Sequence, residues 1–390
     1  MRIEAEYVVA HGKTLYDSWV YLEGDDAFYR TVVYPGFSDT HMHPQVISSG
    51  IERPGIYRDS YDWIERRNLG LDEAAIRRDT DLSAKLARLA MFRSLLEGTT
   101  LIALTGSLKG NIRGWYTARV QPRTVFLPTA MNLPGWQKHR DIIDSYRRLR
   151  LSAKDGFARM GIFVHSLKFS TYDMILESYI HSYTNRTYMG IHLGEGVSEA
   201  DKIKKILGRH RLNRIVAVHC IDDKVKPLGM MCSSCPGTNY LLYNRFKLDT
   251  EDIDAFGSDW PHILGTTASQ IGFIFKLYNK PRENILFKMT TGGYLAYSMA
   301  YSGDLVAYDE PLPKVLSGKA KPVAVYVGGR KVVEDGKIIG LNLSIADILR
   351  ETEEAVKETY DLYGDGTVDS SDVIRANNIL KKAIEELSGF

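Results

Sequence analysis

The stretch PGFSDTHMHPQ, residues 35–45, decides how the rest of this 390-residue chain is read. A Pro-Gly turn and an Asp precede two histidines one residue apart. Side chains alternate along a strand, so His41 and His43 point the same way. In a barrel of parallel strands the inward face at a strand's C-terminal end opens on the active site, where two imidazoles can grip one metal ion. Taken alone, the pair reads more simply as two polar residues at a strand end. The rest of the chain decides between these readings.

Strand-length apolar runs recur: VVYPGFSDTHMH, TTLIALT, RTVFLPTA, GIFVHSL, YMGIHLG, RIVAVHC, LGMMCS and DIDAFGSD. Helical patterns separate them, among them residues 81–98 with a glycine stop and 198–210 with a serine cap and acidic first turn. Alternating strands and helices of this number predict an α/β fold, a (β/α)8 TIM barrel over residues 34–300. Residues 1–33 and 301–343 read as short strands and turns, predicted to pair into a small composite β-sandwich. Residues 344–390 form a helical C-terminal extension. His192, His219 and Asp259 each follow an apolar strand-like run, which places them at the same rim as His41 and His43. His11, His139, His181, His210 and His262 lie outside that pattern and receive no role. Imidazole and carboxylate ligands with an open position suit one catalytic divalent metal, zinc by preference, with iron or manganese also fitting.

Charge is nearly balanced, with 50 basic and 48 acidic residues. No bulk field argues for nucleic acid or an anionic membrane as partner. The N-terminal residues mix charges into their apolar positions and lack a signal or spanning stretch, so a cytosolic protein is expected. Three cysteines, Cys220, Cys232 and Cys235, are too few for a disulfide framework, and the 232–235 pair has no second pair to complete a structural zinc site.

PGFSDTHMHPQ, LAMFRSLLEGTT, HLGEG, VHC, CPGTN and GSDW, in this order and spacing, resemble the amidohydrolase superfamily. More narrowly they resemble its deaminase and chlorohydrolase branch, which includes guanine, cytosine and S-adenosylhomocysteine deaminases. The resemblance covers roughly residues 1–340 and implies a metal-dependent hydrolase. It makes His41, His43, His192 and Asp259 the metal ligands, Glu195 the acid that protonates the ring nitrogen under attack, and His219 the residue that orients the nucleophilic water. His165, at the end of the fourth strand, and Trp63 fall where relatives line the pocket. Gln45 falls near a position that reads guanine, in a segment one residue shorter than the guanine deaminase form. Cys235, Pro236, Thr238 and Asn239 match a structural turn.

The chemistry is consistent with those roles. A divalent metal lowers the pKa of a bound water to about 7. Attack on an amidine-like carbon builds charge on the ring nitrogen, which a carboxylic acid at Glu195 can protonate, while Asp259 can both ligate and accept the water's proton. Lys168 offers a rival: carboxylated, it would bridge two metals with His192 and His219. The mononuclear reading is preferred because Glu195 and CPGTN belong to the deaminase branch and His165 already holds the strand-four position. Trp115, Tyr116 and Trp136 are candidates to stack on a flat ring.

In the tail, Asp361, Asp365, Asp369 and Asp372, with Thr367 between them and Gly366 at the sharp turn, have the spacing of an EF-hand-like calcium loop, although Tyr363 replaces the usual oxygen ligand at position three. The sequence thus predicts hydrolytic deamination, or removal of another leaving group, from a small purine, pyrimidine, pterin or triazine-like ring. The alternatives are a cyclic-amide hydrolase of imidazolonepropionase or dihydroorotase type and a non-catalytic barrel scaffold. Assembly as a homo-oligomer is also an expectation.

Overall fold

The computed structural model describes residues 2–22, 26–51, 54–148, 156–278 and 282–388. The chain opens with β1 (Arg2–Ala10), β2 (Lys13–Tyr21) and β3 (Ala27–Tyr34), then enters the barrel at β4 (Phe37–Met42). The barrel continues through β5 (Thr99–Gly106), β6 (Arg123–Ala130), β7 (Ala158–Met160), β8 (Ile162–Val164), β9 (Met189–Leu193), β10 (Ile215–His219), β11 (Met231–Ser234) and β12 (Ala255–Phe256). All eight runs expected from the sequence are strands, ordered around the sheet as β4, β5, β6, β8, β9, β10, β11 and β12. β7 lies just before the fourth run, which forms β8, and the two are separated at Gly161, where a Cβ would lie 2.6 Å from the Tyr188 carbonyl oxygen. Both pair in parallel with β6.

Every residue of β5 and β6 is buried, because helices cover one face and the barrel interior the other. The helix Thr80–Glu97 shows how the crossovers are bounded. Asp79 accepts from the Asp81 and Leu82 amides at its start, and Gly98, at φ 93, ends it in the left-handed conformation. The barrel closes where β4 meets the segment after β12: the Asp259 amide donates to the His41 carbonyl (2.9 Å) and the His43 amide to the Asp259 carbonyl (2.7 Å).

The second sheet takes strands from both flanks. β13 (Leu305–Tyr308), β14 (Ala324–Val327), β15 (Arg330–Glu334) and β16 (Lys337–Ile338) join β1 to β3 in one seven-stranded sheet, with β13 antiparallel to β3. Arg123 on β6 ties this sheet to the barrel: its Nε donates to Asp304 (2.7 Å), which also accepts from the Tyr294 hydroxyl and the Gly328 amide.

The C-terminal extension is helical, Ile345–Tyr363 and Ser370–Ser388, the first opened by a capping box of Ser344 and Asp347. It fastens the segment between barrel strands one and two. Leu71 and Gly364 form an antiparallel bridge, the Tyr360 hydroxyl donates to the Leu69 carbonyl (2.7 Å), and the Tyr363 hydroxyl donates to Asp79 (2.8 Å). The acidic residues of the expected calcium loop lie at the end of the first of these helices and just beyond it. Asp361 lies within the helix Ile345–Tyr363, Asp365 accepts from Thr367, Asp369 accepts from Ser371, and Asp372 pairs with Arg375. Each carboxylate has its own local partner, and among the described residues they do not converge as a ligand group. Helix propensity carried Tyr363 into the first helix, so position three of the supposed loop packs as a docking residue. No described helix is long and apolar enough to cross a membrane.

Candidate metal centre

β4 places His41 and His43 on one face, with Met42 between them buried in the barrel wall. The closing hydrogen bonds hold Asp259 opposite the pair, at φ 66. Asp39, two residues before His41, braces that strained turn by accepting from the Ser258 (2.9 Å) and Thr267 (3.2 Å) amides. His192 comes from β9. Its Nε2 lies 3.2 Å from His41 Nε2 and 3.3 Å from His43 Nε2, and Asp259 Oδ1 lies 3.4 Å from each of the latter two. Ligand atoms held about 2.0–2.1 Å from a tetrahedral ion sit about 3.3–3.4 Å from one another, and these four distances match that spacing. His41, His192, His219 and Asp259 also each offer a ligand atom within 4.8 Å of the others, so His219 borders the same point.

Hydrogen bonds fix which ring nitrogens face inward. Thr105 Oγ1 donates to the Met42 carbonyl (3.0 Å) and therefore accepts from His43 Nδ1 (2.8 Å), which turns the His43 Nε2 lone pair to the centre. His219 Nδ1 donates to Asn239 Oδ1 (2.8 Å), so its Nε2 is likewise an acceptor. Burial first, and then neighbouring histidines, holds His43 and His192 well below the ordinary imidazole pKa. Burial also brings His219 down to about 4 and His165 to about 3. Neutral imidazoles are the form that ligates. Burial alone would raise Asp259, but the His41 hydrogen bond and the surrounding histidines pull it well below the usual carboxylate range.

Glu195 behaves oppositely. Burial pushes its pKa up to about 8, against the Tyr243 hydrogen bond and helped by the Asp259 charge. The Tyr243 hydroxyl donates to Oε1 at 2.6 Å, and Oε2 lies 3.6 Å from His219 Nε2. The turn that swings Glu195 inward needs glycine on its far side: Gly196 has φ 88, and a Cβ there would lie 2.5 Å from Asp59 Cα.

These groups form the floor of a cavity of about 340 Å³. Trp63 and His165 line it as expected, as do Trp136, Trp260 and Phe169. Trp63 donates through Nε1 to the Ser49 carbonyl and stacks obliquely on Trp260, with ring centroids 5.6 Å apart. Gln45 does not face the cavity: its carboxamide accepts from the Ser107 amide and donates to Asn111 Oδ1, so both ends are used in holding the barrel together. Trp115 packs against Phe126 and Tyr116 is exposed, so of the three stacking candidates only Trp136 reaches the cavity. Lys168 turns outward to Glu65 (2.6 Å) and lies over Tyr61.

Thr105 escaped the sequence reading, as did the supporting roles of Asn239, read there only as part of a structural turn, and Tyr243. The last two share one helix, Pro236–Tyr243, at a spacing of four, so the CPGTN turn delivers a partner to His219 and, one turn later, a partner to Glu195.

No protein-family model matches the sequence, and no curated protein does. Solved structures do match. The chain superposes on an adenosine deaminase from Xanthomonas campestris with bound zinc at a TM-score of 0.71, 15% identity, covering 93% of this chain and 98% of that one. An atrazine chlorohydrolase from Arthrobacter aurescens TC1 complexed with zinc gives 0.70 and 12%, covering 91% and 99%. An amidohydrolase from a Sargasso Sea environmental sample gives 0.67 and 14%, covering 93% and 99%. The chain has their fold. At such identity the likeness establishes the barrel with its second sheet, and the chemistry must be argued from the residues.

Proposed function

We propose that the chain is a metal-dependent hydrolase of the amidohydrolase superfamily, deaminating or displacing another leaving group from a small nitrogen heterocycle. The observation that carries this is the spacing of four donors, 3.2–3.4 Å across four of their pairs, beside a buried carboxyl that keeps its proton to about pH 8. His41, His43, His192 and Asp259 would hold one divalent ion, zinc by preference, as in the zinc-bound adenosine deaminase and chlorohydrolase of the same fold. When bound, it supplies a water acidified to about pKa 7. His219, with its Nε2 lone pair presented by Asn239, accepts a hydrogen bond from the attacking water and fixes its approach. Glu195 donates its proton to the ring nitrogen on which charge develops, and Asp259 receives the water's proton for delivery to the departing group. Trp63, Trp136 and Trp260 line the cavity with aromatic surface, and His165 offers a polar contact. The outward course of Lys168 supports one ion over two.

The test is release of ammonia, or of halide from chlorinated rings, across a heterocycle panel with zinc-loaded protein. Turnover abolished by a chelator and restored by zinc is expected. Hydrolysis confined to cyclic amides, with the ring opened and no ammonia released, would replace this reading by cyclic-amide hydrolysis.

A further inference from the structure

One wall of the cavity carries charge that the proposed reaction does not use. Arg67, Glu73 and Arg77 all line it, from the segment that the C-terminal extension fastens. Glu73 sits between the two guanidiniums: Arg67 Nη2 pairs with Oε2, while Arg77 Nη1 lies 3.5 Å from Oε1 and donates to the Glu73 carbonyl at 2.9 Å. Each arginine also lies over a cavity tryptophan, Arg67 over Trp63 at 4.3 Å and Arg77 over Trp136 at 4.6 Å. These stacks hold both guanidiniums in place before anything binds.

The charges do not balance. One carboxylate lies between two guanidiniums whose side chains are only 14% and 7% exposed, which leaves one positive charge in excess in a largely desolvated wall. Arg77 Nε is buried without a hydrogen-bond partner. The other acids that line the cavity are engaged elsewhere: Asp259 with His41 and His43, Glu195 with Tyr243, and Asp72, at the rim, 3.8 Å from Arg78. A buried charge without a counter-charge is unfavourable, and a ligand that brings the missing negative charge removes that cost. The planar fork of arginine is matched to oxyanions.

We infer that Arg67 and Arg77 form a subsite for an oxyanion substituent, carboxylate or phosphate, on the heterocycle whose ring lies over the histidines. The inference rests on reading the cavity as a heterocycle site and narrows its substrate to the acidic members of that class. Glu73 is the positioning residue that keeps the two guanidiniums together.

The test uses matched pairs that differ only in the anion: pterin and pterin-6-carboxylate, cytosine and cytosine-5-carboxylate, adenosine and adenosine 5′-monophosphate. Binding to the full zinc-loaded chain is measured by calorimetry, and ammonia release in parallel. In at least one pair the acidic member should bind about ten- to a hundredfold more tightly, the range for hydrogen bonds to a charged group. Whether that pair is a carboxylate or the phosphate pair identifies the oxyanion. Arg77→Gln should shrink the ratio to about twofold, and Arg77→Lys should retain part of it. Arg67→Gln, on the more exposed arm, serves if Arg77→Gln does not fold. Neutral members binding as well as acidic ones in every pair, binding of no member, or a ratio unmoved by both substitutions overturns the subsite. Tight binding of an acidic member without ammonia release keeps the subsite and overturns the reaction, whereas turnover of neutral members alone does the reverse.

Discussion

Replacing Glu195 by glutamine tests the proposed chemistry with little change of structure. The side chains are nearly isosteric, and the amide oxygen can still accept from the Tyr243 hydroxyl, now 2.6 Å from Oε1. The amide nitrogen would face His219 Nε2, an acceptor because Nδ1 donates to Asn239, so no buried group is orphaned. Only the transferable proton is lost. A positioned general acid is worth about 10²- to 10⁴-fold, or about 3–5 kcal/mol of transition-state stabilisation, so kcat/KM should fall by that factor while metal content stays at the wild-type level. Wild-type kcat/KM should carry an alkaline limb where Glu195 loses its proton, and the variant should lack that limb. Stability gives a second readout in the chelated protein. The folded state keeps a proton that the unfolded chain releases above about 4.5, so stability falls as pH rises from there to about 8. At about 1.4 kcal/mol for each pH unit, the slope amounts to at most about 5 kcal/mol, and Glu195→Gln should remove it. Urea unfolding at pH 5 and pH 8.5 measures this. A loss of less than tenfold with the alkaline limb intact would refute the assignment of Glu195 as the acid.

Three further outcomes are expected. Asn239→Ala should cut kcat about ten- to a hundredfold with metal retained, because His219 loses the partner that fixes its tautomer; comparison of kcat, KM and metal content checks it. Tyr360→Phe combined with Tyr363→Phe should cost about 1–3 kcal/mol and speed hydrogen exchange at residues 69–79. Unchanged exchange there would deny the C-terminal helices their hold on the cavity wall. Gly196→Ala should destabilise by about 2 kcal/mol or more, read from thermal unfolding, since the new Cβ meets Asp59 and the backbone stays at positive φ.

The barrel was legible because its strands are continuous apolar runs closed by polar groups at one end, and that pattern survives in local sequence. His41, His43, His192, His219 and Asp259 were legible for the same reason: each lies near or just beyond a strand's C-terminal end, and those ends share a rim. Gln45 was misplaced because its neighbourhood to His43 in sequence does not fix its rotamer. The contacts that turn it away come from Ser107 and Asn111, more than 60 residues on. In the acidic tail the spacing suited a metal loop, while the side-chain partners of Asp365 and Asp369, Thr367 and Ser371, follow from local turn geometry. In the Arg67–Glu73–Arg77 wall, Glu73 and Arg77 stand four apart on the helix Glu73–Arg78 and pair locally, but nothing local in the sequence sets Arg67 beside them or turns the trio to the cavity.

Metal stoichiometry bears most directly on the whole account. Elemental analysis of protein loaded with zinc and then dialysed should give close to one equivalent per chain. That value should be kept in Glu195→Gln and Lys168→Ala and largely lost in His41→Ala, His43→Ala, His192→Ala and Asp259→Ala. Two equivalents, no retained metal, or undiminished binding in those four variants would contradict it.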